Sequence, residues 1–409
     1  MKANKLACID LGTTKVCALI CEVGSAGEID LVGMGIARSA GLKKGMVVDV
    51  QQASQAVEDA VDKAIGNTKM QIDSAIVGVT GGHIKNFASS SIVSVPQRRG
   101  EVSEKDRTRA VSLASRIDTP DGFQVIHIIP KTYVIDGDFR VLNPVGMVAS
   151  KLEVWVNVVL GSTLNLNNVE KTLKEAEIDV DEIVLESIAS SISVLTEREK
   201  EDGVLLLDIG GGTTDIALFK GGNILYLYCL PVGGDHITND ISVGLRTNFF
   251  EAEALKLKYG QATFEGIDFT KIGVTSASPT SDEKEMLVSF LANIIECRVS
   301  ELFSLVKKEL LEQELDEGIG SVVLTGGSSL LNGIDDLCRS VFRLPTRIGS
   351  PSLTVGIVDR ISNPIYSTAV GLLLYGAKRK VELKPVFSDQ YYRESIFDKI
   401  ASWFGKNRD

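Results

Sequence analysis

Two short stretches, far apart in the chain, carry the residue types that hold phosphate. The first reads Asp10-Leu11-Gly12-Thr13-Thr14-Lys15, and the second Asp208-Ile209-Gly210-Gly211-Gly212-Thr213-Thr214-Asp215. Glycine lets a backbone N–H approach an anion with no Cβ in the way, and threonine hydroxyls add further donors. The leading Asp10 and Asp208 cannot themselves hold phosphate, because like charges repel. Each is better suited as an outer ligand to a hydrated Mg2+ carried on the phosphates. One such turn alone is an ordinary hairpin. Two, with Asp, Gly and Thr-Thr in matching order, would grip one nucleotide from both sides of a cleft. Neither turn is a Walker loop, which needs Lys-Ser/Thr opening a helix, and neither has the Rossmann glycine spacing.

The rest of the composition narrows the chemistry. The chain of 409 residues is long enough for two or more domains. A formal net charge of −11 and the lack of a long Lys/Arg stripe argue against nucleic acid as a partner. The cysteines, Cys8, Cys17, Cys21, Cys229, Cys297 and Cys338, form no Cys-x-x-Cys pair, and most sit in apolar patterns. They read as buried thiols in a reducing compartment rather than a disulfide frame or zinc site. His83, His127 and His236 are too scattered for a metal centre or a Ser-His-Asp triad. The start, Met1-Lys2-Ala3-Asn4-Lys5, runs into a strand without a signal peptide's apolar core, and no apolar run is long enough to span a bilayer. A cytoplasmic protein is expected.

The turns need strands and helices to hold them. Each is flanked by apolar strands, Leu6–Ile9 with Val16–Ile20 and Val204–Leu207 with Ile216–Phe219. Periodicity predicts helices over 52–65, 105–117, 166–177, 187–196, 238–258, 282–315, 333–342 and 367–378. Strands are predicted over 75–79, 89–95, 127–129, 131–135, 153–159, 182–185 and 321–324. The strand-rich segment between about 84 and 160 reads as a small α+β unit inserted in the first half. Strands alternating with helices in two halves, each opened by a similar hairpin, imply a duplicated α/β architecture with a central cleft.

Five sequence elements in order resemble the actin/Hsp70/sugar-kinase superfamily. They are the phosphate element Asp10–Lys15, the connecting element Leu185–Ser191, the second phosphate element Asp208–Asp215, the adenosine element Leu324–Leu330 and the second connecting element Thr368–Leu373. The resemblance implies a duplicated actin-like (ribonuclease H-like) fold with two lobes around a nucleotide cleft. It also implies ATP and Mg2+ as cofactors. Gly12, Thr13, Thr14 and Lys15 would hold the phosphates from one side, and Gly210, Gly211, Gly212, Thr213 and Thr214 from the other, with Gly234 nearby. Asp10 and Asp208 would orient Mg2+ through its waters. Gly326, Gly327 and Ser328 would let a flat nucleoside lie against backbone. Glu253 and Lys256 match a pair that touches ribose and base in actin-like members, and equally suit a surface i,i+3 ion pair. Glu186 stands where the superfamily places a water-positioning group, and also suits a helix-start acid. A slow Mg-dependent ATPase is compatible with this set.

Residues 394–405 have a different character. At about 100° per residue, Ile396, Phe397, Ile400, Trp403 and Phe404 share an arc of roughly 120°. Glu394, Asp398, Lys399, Ser402 and Lys406 lie opposite. Such a helix is too short to cross a bilayer and suits the headgroup plane, with Lys399 and Lys406 near anionic lipid. Docking on the protein's own core is the other use of such a face. Acidic Glu394, Asp398 and Asp409 dilute the charge, which shifts weight to Trp403 and the phenylalanines.

An actin-like body, an early insert and a tethered amphipathic end together resemble the FtsA family of bacterial cell-division proteins. Further matches are Gly78–Ile84, Val232–Ile241 and Ala252–Gly260. The resemblance implies filaments that tether the tubulin-like FtsZ, through its C-terminal tail, to the cytoplasmic face of the inner membrane. Asn293 and Arg298 are candidates for that tail, and an exposed helix face would look the same. The insert would take part in self-association and in contacts with other divisome proteins. The implied domains are first-lobe core over 1–83 and 161–203, the insert over 84–160, and second-lobe core over 204–237 and 319–378. The second lobe's outer subdomain covers 238–318, a linker 379–392 and the membrane helix 393–409. Rival expectations are a PilM-like pilus-assembly protein, a sugar kinase, for which no convincing sugar-binding Asp is seen, and an Hsp70-type chaperone, for which the length is short.

Overall fold

The computed structural model describes residues 4–24, 28–66, 72–96, 100–263, 271–274, 284–352 and 361–382. The chain divides into two compact units. The larger joins the residues up to Ile84 with Leu164–Gly376, and the smaller is built on Lys85–Thr163. The amphipathic stretch 394–405, with Ile396, Phe397, Lys399, Ile400, Trp403 and Phe404, and Lys406 after it, lie outside the described residues.

In the larger unit the chain opens with β1 (Asn4–Leu11), β2 (Lys15–Val23) and β3 (Ile29–Arg38), an antiparallel meander. A two-stranded ribbon, β4 (Leu42–Lys43) with β5 (Met46–Val47), leads into α1 (Val50–Ile65). Asp49 caps α1 by accepting from the Gln52 N–H at 3.0 Å. The helix buries an alanine-rich stripe, Ala53, Ala56, Ala60 and Ala64, whose small side chains let it lie close to the sheet. Next comes β6 (Ser74–Val79), parallel to β1.

The smaller unit then intervenes with β7 (Lys85–Ser94), α2 (Glu104–Ala114), β8 (Phe123–Ile135), β9 (Phe139–Val141) and β10 (Lys151–Ser162). Its sheet is antiparallel in the order β7-β10-β8-β9. Along β10 Leu152, Val154 and Val156 are buried while Trp155 is exposed, the period-two signature of a sheet with one covered face. Ala110 and Val111 of α2 belong to that core. Strands expected at 127–129 and 131–135 form one continuous β8. Pro130, which lies between the two expected strands, sits at a register shift, where Val156 pairs with Pro130 and Trp155 with Thr132.

The larger unit resumes with α3 (Thr163–Glu175), β11 (Asp179–Leu185) and α4 (Glu186–Val194), followed by α5 (Glu197–Asp202). The second half repeats the opening with β12 (Val204–Ile209), β13 (Thr214–Lys220) and β14 (Asn223–Leu230). Then come α6 (Gly234–Leu245), α7 (Phe249–Tyr259), the ribbon of β15 (Lys271–Val274) with β16 (Lys284–Leu287), and α8 (Val288–Glu312). The single helix expected over 238–258 is two helices. Arg246 adopts a left-handed cap at φ +53°, which stops α6, and Asn248 caps α7 afresh. The helix expected from residue 282 starts at Val288, because Lys284–Leu287 pair as a strand. The chain closes with β17 (Ser321–Thr325), α9 (Ile334–Phe342), β18 (Thr346–Ile348) and α10 (Ser367–Glu382).

The duplication is complete at the level of strand sense. One sheet runs β11-β6-β1-β2-β3 and the other β18-β17-β12-β13-β14. In each, the first strand of the hairpin is flanked on one side by two strands parallel to it, and on the other it opens an antiparallel meander of two further strands. No helix among the described residues is long and apolar enough to cross a membrane.

Candidate functional site

Both turns lie where an apolar strand ends at its hairpin. Strands β1 and β12 are buried almost throughout, so their last polar residues, Asp10 and Asp208, are carried to the edge of the core. There they open onto one cavity of about 980 Å3. The turns meet face to face across it. A Cβ on Gly211 would fall 2.3 Å from Thr14 Cγ2, and one on Gly212 would fall 2.5 Å from Thr13 Oγ1. Side chains at these glycines would close the gap between the halves.

Of the residues read from the sequence, Asp10, Gly12, Thr13, Thr14, Lys15, Glu186, Asp208, Gly210, Gly211 and Thr213 line this cavity. So do Gly234, Glu253, Lys256, Gly326, Gly327 and Ser328. Gly212 and Thr214 are not on the wall. The Thr214 hydroxyl donates to the Val232 carbonyl at 2.8 Å and holds the hairpin to the loop before α6. Asn293 and Arg298 lie apart on α8. Asn293 is exposed, and Arg298 donates to Asp240 at 2.5 Å and to Glu301.

One end of the cavity is built from glycine and one polar cluster. Gly326 has φ +82°, and a Cβ there would lie 2.3 Å from Asp208 Oδ1, so only glycine fits. Ser328 donates to the Gly210 carbonyl at 3.1 Å, and the Gly234 N–H to the same oxygen at 2.9 Å. Lys256 donates to the Gly234 carbonyl at 3.2 Å and to Thr238 Oγ1 at 2.8 Å, and pairs with Glu253 at 2.7 Å. The Thr238 hydroxyl donates to Glu253. The i,i+3 pair and the cavity wall are therefore one structure.

Charge is unevenly distributed beside the two turns. Four buried carboxyls, Asp10, Glu186, Asp208 and Asp215, share the wall with Lys15. Lys15 lies 2.9 Å from Asp10 Oδ2. Burial raises Asp208 to about 6, with Asp10 adding to it and a 3.0 Å hydrogen bond from Thr368 opposing it. Burial, the Thr80 hydrogen bond that opposes it and the charge of Asp208 leave Asp215 at about 7. Glu186 is pushed well above the usual carboxylate range by burial and then by Asp10, Asp215 and Asp208, and its Oε1 has no hydrogen-bond partner. Such a set of oxygens, beside backbone cradles kept open by glycine, fits a phosphate chain accompanied by a hydrated divalent cation.

Among the wall residues not singled out from the sequence as ligands are Thr80, Asp215, Asp235 and Thr368. Thr80 follows β6 at a Gly-rich strand end, and Asp215 closes the second turn. Both positions carried a signal, but neither spacing shows that the Thr80 hydroxyl donates to Asp215 Oδ1.

Comparison with known proteins bears on the family. A family model described as "Cell division protein FtsA" matches residues 205–371, and one described as "SHS2 domain inserted in FTSA" matches residues 81–160. The chain is 40% identical to the cell division protein FtsA of Pseudomonas aeruginosa, covering 98% of this chain and 97% of that one. It is 34% identical to the FtsA of Escherichia coli, covering 97% and 94%. Among solved structures, one titled as the PilM-PilN type IV pilus biogenesis complex aligns with TM-score 0.64 at 16% identity, over 92% of this chain and 98% of that one. MreB5 of Spiroplasma citri bound to ADP aligns with TM-score 0.56 at 19% identity, over 93% and 98%. These structural likenesses concern the fold, which is actin-like.

Proposed function

The chain belongs to the FtsA family of cell division proteins, and from that premise we propose that it binds Mg-ATP and polymerises as an actin-like filament. In this reading the filament tethers the tubulin-like FtsZ ring to the cytoplasmic membrane. The observation that carries the nucleotide part is the facing of the two glycine-threonine turns across a single cavity. Lys15, the threonine hydroxyls and the turn N–H groups supply donors to phosphate, and Asp10 and Asp208 supply oxygens to the waters of Mg2+. Gly326 to Ser328 and the Glu253–Lys256 pair hold the nucleoside. Glu186 is the candidate for positioning the attacking water, and slow hydrolysis is expected.

The membrane part rests on the sequence of residues 394–409. Burying Ile396, Phe397, Ile400, Trp403 and Phe404 yields a few kcal/mol at most, much of it offset by ordering the helix. A single copy then binds weakly, and many copies on a polymer bind firmly through avidity. A weak anchor and a filament-forming body therefore belong together. Asn293 and Arg298 on α8 are proposed to meet the FtsZ C-terminal tail, and the 84–160 insert other divisome proteins or a second copy. The location is peripheral, on the cytoplasmic side of the inner membrane at the division site.

The test is co-sedimentation with anionic liposomes, with and without Mg-ATP, of the full chain and of a chain lacking residues 394–409. ATP-enhanced pelleting that vanishes on truncation is expected. Equal pelleting of both would defeat the anchoring role, and failure of the full chain to bind ATP by calorimetry would defeat the nucleotide role.

A further inference from the structure

The two phosphate turns occupy equivalent ladder positions and differ at one informative place. Asp10 pairs across its hairpin with Cys17, whereas Asp208 pairs with Asp215. The duplicated fold thus accepts a small thiol here, and packing alone does not call for a carboxylate. A carboxylate buried to 4% exposure is costly to keep unless something holds it.

Asp215 is held. The Thr80 hydroxyl donates to its Oδ1, and Thr213 Oγ1 lies 3.5 Å from its Oδ2. Thr80 also approaches Cys229 Sγ at 3.2 Å, and Cys229 is the other cross-strand neighbour of Asp215. Thr80 follows β6 of the first half, while Asp215 is the second residue of β13 of the second, and both line the cavity. Glu186 differs, because its Oε1 receives no hydrogen bond that would fix its orientation.

We propose that Asp215 accepts the proton of the water that attacks the terminal phosphate of bound ATP, and that Thr80 is the positioning residue that fixes the Asp215 carboxylate. This rests on the reading of the cavity as an ATP site. The water oxygen bonds to the γ-phosphorus as the bond to the β–γ bridging oxygen breaks. That oxygen keeps the electron pair and leaves with ADP. The water proton passes to Asp215 and then to the released phosphate. Because Thr80 and Asp215 come from opposite halves, alignment of the carboxylate depends on a contact between the halves.

The experiment uses the full chain with Mg-ATP and liposomes. Asp215→Asn is expected to slow single-turnover hydrolysis by about 100-fold or more, the usual scale for a lost general base. Calorimetric affinity for AMPPNP should stay within about threefold, since a group acting only in the transition state leaves ground-state binding intact. Thr80→Val should lower kcat by about tenfold with KM unchanged, and Thr80→Ser should restore it, because the hydroxyl alone carries the role. A structure with AMPPNP should place a water between Asp215 and the γ-phosphorus. Wild-type rates in Asp215→Asn, a Thr80→Ser variant as slow as Thr80→Val, or no measurable hydrolysis by the unaltered chain would each overturn the assignment. If the unaltered chain does not bind AMPPNP, the nucleotide reading beneath it falls as well.

Discussion

Lys15 Nζ lies 2.9 Å from Asp10 Oδ2, so the cation suited to phosphate and the carboxylate suited to a metal's water shell are partners in the same turn. Burial alone would lower the Lys15 pKa, but Asp10 reverses this and holds the ammonium charged, above the ordinary lysine value. In the proposed Mg-ATP complex this pair would be redistributed, with Lys15 toward phosphate and Asp10 toward hydrated Mg2+. Lys15→Gln is expected to weaken ATP affinity by about tenfold or more, the scale of one charge-assisted contact. It should also destabilise the nucleotide-free protein by about 3 kcal/mol, because Asp10 is left buried without its counter-charge. Calorimetry and urea melts read the two effects separately. A variant that loses affinity without losing stability would show that the pair is not a structural unit.

Asp208 gives a cleaner test of the cation. Its Oδ2 accepts from Thr368 at 3.0 Å, and it faces Asp10 across the cavity. Asp208→Asn keeps the shape and the Thr368 contact but removes the charge. Mg2+ should raise ATP affinity in the unaltered chain and have little effect in the variant, with melting temperature nearly unchanged. Equal Mg2+ dependence in both proteins, measured by titration with and without EDTA, would remove Asp208 from the metal's shell.

Gly371 makes a prediction whose sign is unusual. A helix glycine replaced by alanine normally gains about 1 kcal/mol. Here a Cβ would lie 1.8 Å from the Ala189 carbonyl oxygen and 2.3 Å from its carbon, because α10 packs directly on the backbone of α4. Gly371→Ala should therefore destabilise by about 1–3 kcal/mol or more, as overpacking does. A rise in thermal midpoint would contradict the close approach.

These sites also show what the sequence could express. The hairpins were legible because each is local: an apolar strand, an Asp and a Gly/Thr turn within a dozen or so residues. Their facing was inferred from matching order, and Gly211 against Thr14 gives it geometry. Residues 238–258 read as one helix because the apolar spacing continues through Arg246, and a left-handed residue leaves no mark on that spacing. The expected strands 127–129 and 131–135 join through Pro130, whose missing donor a register shift absorbs. The Thr80–Asp215 contact joins residues 135 positions apart, so no local pattern could contain it. Tight-packing glycines such as Gly371 look like any helix glycine until the neighbouring carbonyl is in place.

Away from the cavity, Arg347 of β18 and Glu199 of α5 make a two-pronged ion pair whose pH dependence can be stated in advance. Arg347 Nε lies 2.6 Å from Glu199 Oε1, and its Nη2 2.8 Å from Oε2. Oε2 also accepts from the Thr196 N–H at 2.8 Å and hydroxyl at 2.9 Å, closing the capping box of α5. Burial works against the charged form, but hydrogen bonds from Arg347 and from Thr196 prevail and pull Glu199 down to about 2. A carboxyl with a depressed folded pKa contributes stability that is present above its unfolded value, about 4.3, and is lost as pH falls through the folded value. The pair is partly open to solvent, with Arg347 40% and Glu199 21% exposed, so screening reduces its worth to about 1 kcal/mol at neutral pH. Arg347→Met should cost that amount at pH 7. The gap to the unaltered chain should narrow between about pH 4.5 and pH 2, because protonating Glu199 removes from the unaltered chain what the substitution has already removed from the variant. Urea midpoints taken across this range read the gap directly. A difference that stays constant with pH would assign the loss to Arg347 packing and to its 2.8 Å hydrogen bond with the Val194 carbonyl instead.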